Sequence, residues 1–112
     1  MRPYTPVDVE QRLITLIDRL EKGAAMVNDL DAKATRLRRE FDHAYALAFL
    51  NADGSMDIRR YVAVGQTIRA REAAEDAEVA LRHAKALLRA VSEEADLVRS
   101  ISASVRSSMA AA

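Results

Sequence analysis

No cysteine occurs among the 112 residues, so disulfides, thiolate catalysis and cysteine-held metals are excluded. Tryptophan is absent as well, and the aromatic side chains are limited to 3 tyrosines and 2 phenylalanines. A thick globular core needs larger groups than these. The chain is 50% hydrophobic, but much of that is alanine, which suits thin helices that approach closely. The 3 glycines lie far apart, so there is no glycine-rich loop to cradle a phosphate. Neither sign of charge is in excess: 17 basic and 17 acidic residues give a formal net charge of zero. That balance argues against coating nucleic acid by bulk attraction, while leaving room for a local basic patch. No apolar h-region stands near the start and no apolar run is long enough to span a bilayer, which points to a cytoplasmic protein without a membrane partner.

What is present is helix signal, interrupted once. Asn51-Ala-Asp-Gly-Ser-Met56 separates two long periodic stretches. Gly54 tolerates the left-handed backbone that ends a helix, and Ser55 can cap the first amides of the next. At the other end of the first stretch, Thr5-Pro6-Val7-Asp8 reads as a helix start, with Thr5 as N-cap and Pro6 at the first helical position.

From there Leu13, Leu16, Leu20, Ala24, Val27, Leu30, Ala34, Leu37, Phe41, Ala44 and Ala48 recur three and four apart. This is one apolar stripe sustained for about five heptads. Gly23 weakens the helical propensity and reads as a tolerated glycine, with close helix contact as the alternative. The second stretch opens with Ile58, Tyr61, Val62, Val64 and Ile68. It continues through smaller residues at Ala70, Ala73, Ala77, Leu81, Ala84, Leu88, Val91, Ala95, Val98, Ser102 and Val105. Small groups around Ala70 to Ala80, with Gly65 close by in sequence, should let a partner helix come near.

The expectation is an all-α fold: one domain over 1–112, an antiparallel hairpin of two coiled-coil-like helices. The helices should span about 6–50 and 57–107, with a bend at 51–56 and a frayed tail at 108–112. Reflection about Gly54 pairs Leu20 with Leu88, Leu30 with Glu78 and Leu37 with Arg71. The arms are unequal, since the first carries more large aliphatics and the second more alanine. Ile14, Ile17, Leu97, Val98 and Ile101 leave apolar surface at the open end. Two hairpins pairing into a four-helix bundle would cover it, and a different helical partner is the alternative.

Chemistry is harder to find. His43 and His83 belong to no metal-binding spacing, and reflection does not bring them level. Asp53-Gly54-Ser55 matches only part of a calcium loop, without the alternating oxygen ligands. Glu72, Glu75, Asp76 and Glu78 form an acidic stretch best explained as a solvated face. No enzyme, cofactor or metal site is expected.

Two features depart from uniformity. Arg36, Arg38 and Arg39 on the first arm and Arg69 and Arg71 on the second come to similar heights on folding, with Arg59 and Arg60 nearer the bend. Arginine forks suit phosphates and partner carboxylates alike. Net neutrality and the lack of an aromatic platform weigh against nucleic acid. The second feature gathers Tyr45, Phe49, Leu50, Met56, Ile58 and Tyr61 near the bend. These side chains either close the end of the bundle or form a recognition site. The full set of candidate interface residues is Leu13, Ile14, Ile17, Leu20, Tyr45, Phe49, Met56, Ile58, Tyr61, Leu97 and Ile101.

Ala-Tyr-Ala-Leu-Ala at 44–48, Asp53-Gly54-Ser55, Arg59-Arg60 and the closing Ile101-Ser-Ala-Ser-Val-Arg106 make the chain resemble small uncharacterised helical proteins of actinobacterial phages and prophages. The resemblance implies an accessory role in recombination, replication or particle assembly, within the host cytoplasm, and transfers no catalytic residue. The expected function is a non-enzymatic helical adaptor that forms a homo-oligomer, a dimer first, and binds an unidentified protein. The alternative is a nucleic-acid-binding accessory protein that uses the arginines.

Overall fold

The computed structural model describes residues 5–111; the expected lead at 1–4 and the last residue of the expected tail lie outside them. Three helices follow one another: α1 (Pro6–Asn51), α2 (Met56–Gln66) and α3 (Ile68–Ala111). No strand occurs among the described residues. The long helices α1 and α3 pack against each other, giving an all-α helical hairpin.

The predicted caps form. The Thr5 hydroxyl accepts from the Asp8 N–H at 3.2 Å, and the Asp8 carboxylate accepts from the Thr5 N–H at 3.1 Å. This reciprocal pair satisfies two amides that the helix itself cannot. At the turn Gly54 takes φ 106°, and the Ser55 hydroxyl accepts from the Ile58 N–H at 3.3 Å. The Arg59 side chain donates to the Gly54 carbonyl at 3.2 Å, which ties the turn to the helix after it.

The second arm is not the single helix expected over 57–107. It breaks at Thr67, whose φ of −116° and ψ of 12° fall outside the helical range. The Thr67 N–H reaches Val64 at 3.3 Å, while the hydroxyl donates to the Ala63 carbonyl at 2.6 Å. A buried threonine thus competes with the backbone for its own helix's acceptor. Beyond the break α3 continues to Ala111, past the expected end at 107.

Contacts group the hairpin into two compact units, Met1–Met26 with Ala84–Ala112, and Val27–His83. In the first, Val9, Leu16, Ala95 and Val98 form the buried centre, with Leu13, Leu20, Val91 and Ile101 packed around it. Leu16 is fully buried, which stabilises by about 1.5–3 kcal/mol relative to exposure. The seam on α1 passes through Gly23, not Ala24, which is exposed. Gly23 lies against Leu88, where reflection about Gly54 had set Leu20. A glycine opposite a leucine fills the seam better than two leucines would. Of the two readings of Gly23, close contact is the one the packing supports.

In the second unit the buried positions are Ala34, Ala48, Ala52, Ala63, Thr67, Ala74 and Ala77. The seam takes Ala74, and Ala73 faces outward. The cause is periodic: Ala63, Thr67, Ala70, Ala74 and Ala77 keep the four-three alternation that Val64, Ile68 and Ala73 break. Gly65 is no close approach, because a Cβ there would meet nothing within 4 Å. Glu78 meets Arg38, where reflection had set Leu30. No helix among the described residues is long and apolar enough to cross a membrane.

Candidate interaction surfaces

Ion pairs along the seam's edges follow the heptad. In the first unit Arg12 bonds Glu94, and Arg19 lies 3.8 Å from the same carboxylate. With the seam residues at a and d, all three residues fall at g, which is how g positions meet in an antiparallel pair. In the second unit Arg38 pairs with Glu78 at 2.6 Å, an e-to-e contact. Side-chain exposures of 39% and 33% leave this pair worth about 0.2–1 kcal/mol.

The seven candidate arginines all fall in the second unit, but they do not form one cluster of free cations. Arg36 pairs with Glu40 at 3.2 Å, Arg60 with Asp57 at 3.7 Å and Arg71 with Glu75 at 3.6 Å. Arg38 is held by Glu78 and lies 5.4 Å from the Phe41 ring centroid. Arg59 is spent on the turn carbonyl. Arg39 and Arg69 are exposed and hold no ion pair among the described residues. Arg36 and Arg38, two residues apart, stand on different sides of α1.

The candidate interface residues separate into two groups. Leu13, Leu20 and Ile101 pack on the first unit's buried centre, and Val98 is part of it. Ile14, Ile17 and Leu97 are exposed, Ile14 at 68%. In the second unit Tyr45 and Phe49 are half-buried, and Tyr45 meets Phe41 edge-on with ring centroids 6.2 Å apart. Met56, Ile58 and Tyr61 are exposed, Tyr61 at 80%. The positions facing inward there are Ala48, Ala52 and Ala63, and the large side chains stand outside them.

Leu50, at 70% exposure, belongs with that group, as do Val64 and Ile68. Their signal in the sequence is that they are apolar yet fall off the four-three alternation. Met26 and Leu87 were likewise missed as surface residues; they flank a groove of about 230 Å³ beside Gly23 and Leu88. His43 and His83 are both exposed. Among the described residues no three His, Cys, Asp or Glu side chains gather as a metal would require.

Fold and surface together define a helical hairpin that carries large apolar side chains on its exterior. No family model, curated protein or solved structure matches the chain.

Proposed function

We propose that the chain is a non-enzymatic helical interaction protein that works through protein–protein contacts. One observation carries this reading. Near the turn the hairpin buries alanine, while Tyr61, Leu50, Met56 and Ile58 stand in solvent. Exposing large apolar groups while burying small ones raises the free energy of the isolated chain. Aromatic and methionine side chains on such a surface are what a partner's apolar groups would cover. The resemblance to helical proteins of actinobacterial phages and prophages supports an accessory role in a phage-infected or lysogenic host, within the cytoplasm.

Nucleic-acid binding is the second reading. Arg39 and Arg69, exposed and without ion pairs among the described residues, favour it. Five of the seven candidate arginines already hold an intrachain oxygen, which weighs against it. The test is a photo-crosslinking residue at position 61, with position 72 as an exposed control, applied in host cells and repeated with nuclease. A nuclease-resistant protein adduct at 61 and none at 72 is the expected result. An adduct that disappears with nuclease would overturn the reading.

A further inference from the structure

The first unit has two outer edges, and they are built differently. On the edge closed by Arg12 and Glu94, Arg19 and Lys22 are also paired, with Glu94 and Asp18. On the opposite edge one pair forms, Arg99 with Asp96 at 3.0 Å on α3, and the other charges are left without an intrachain partner among the described residues. There α1 presents Glu10, Ile14, Ile17 and Glu21, spaced four, three and four apart. Both glutamates are exposed and hold no ion pair among the described residues. α3 presents Lys85, Arg89 and Arg106 on the same edge, exposed and equally without ion pairs among the described residues. Glu10 and Arg106 line one cavity, and Gly23 meets Leu88, which sets Glu21 near the height of Arg89.

From this arrangement we infer that a second copy of the chain docks on this edge of the first unit, with α1 of each copy lying on α3 of the other. The inference rests on the reading of the chain as an interaction protein and names its partner. A two-fold axis parallel to the helices gives this arrangement. It sets Glu10 against the partner's Arg106 and Glu21 against the partner's Arg89, twice over. Ile14 and Ile17 lie between these charged ends, at the height of the partner's Asp96 and Arg99, which already neutralise each other. The other face-to-face two-fold, perpendicular to the helices, would lay α1 on α1 and α3 on α3. That would put Glu10 against a second Glu21 and one largely basic row against another. Like charges opposed in this way select against the perpendicular axis.

Sedimentation equilibrium on the whole chain tests the proposal, with circular dichroism to confirm that every variant stays helical. Wild-type protein is expected to dimerise, more weakly as salt rises. The variant E10K/E21K should dimerise about tenfold or more weakly. Adding R89E/R106E to the same chain restores α1-to-α3 attraction and should recover the dimer. In the perpendicular arrangement the four-site variant would stay as repelled as before. A wild-type monomer at about 100 times the micromolar range typical of weak complexes would overturn the second copy as partner. That result would leave crosslinking at position 61 to judge the broader reading on its own. E10K/E21K dimerising as well as wild type would remove this edge. A four-site variant that folds but stays monomeric would remove the helix pairing.

Discussion

Leu88 stands against the backbone of Gly23: a Cβ added at that glycine would lie 2.8 Å from the leucine Cδ1 and 3.9 Å from its Cγ. Two effects of similar size then oppose each other in G23A. Alanine gains about 1 kcal/mol of helix propensity over glycine. Moving the end of the Leu88 side chain costs about 0.5–1.5 kcal/mol. G23A should therefore change stability by less than about 1 kcal/mol. In an L88A background the obstruction is gone, and G23A should stabilise by about 1 kcal/mol. Urea unfolding of the four proteins measures the coupling. Equal effects of G23A in both backgrounds would mean that the two residues do not compete for space.

At the α2–α3 break, the Thr67 hydroxyl donates to the Ala63 carbonyl at 2.6 Å in a buried site. T67V keeps the shape of the side chain and removes the donor. It should cost about 1–2 kcal/mol, the penalty for an acceptor left without its bond. T35V, at an exposed position on α1, should be close to neutral. Thermal unfolding compares the two. A stabilised T67V would mean that the backbone closes the break once the hydroxyl stops competing for Ala63.

The arginines allow a separation of the two functional readings. Fluorescence anisotropy with duplex and single-stranded probes is expected to show no salt-dependent binding by the wild-type chain. Were binding found, R39Q/R69Q would reduce its dependence on salt more than R36Q/R60Q. Only the first pair is free of intrachain carboxylates among the described residues. Such a result would move nucleic acid ahead of protein as the partner.

Much of the fold is readable from local rules. Thr5 and Ser55 cap the helices they precede, and Gly54 takes the positive φ that the turn needs. These are interactions within a few residues, so sequence distance stands in for spatial distance. The seam was nearly readable. The four-three alternation holds, but at two places a neighbouring alanine offered an equally apolar choice. Ala24 competes with Gly23 and Ala73 with Ala74, and hydrophobicity alone does not separate them. What separates them is the space the opposing helix leaves.

The candidate site was less legible. Leu13 and Ile14 are equally apolar and adjacent, yet one packs on the core and the other is exposed. Near the turn the larger side chains read either as closing the end of the bundle or as a recognition site, and in the single chain the buried residues there are alanines. The arginines looked like one patch because reflection compared their heights and ignored their directions. Glu40, Glu75, Glu78 and Asp57 take up four of them.

By itself the sequence determined that the chain is helical, where it starts and reverses, and that a single apolar stripe runs along each arm. Those properties come from hydrogen bonds and backbone preferences acting over one or two turns. Register, the break at Thr67, the sorting of arginines among carboxylates and the set of large side chains left in water were decided only by tertiary structure. Each depends on which atoms of the opposite helix occupy the space a side chain would take, and that matching is made across the seam.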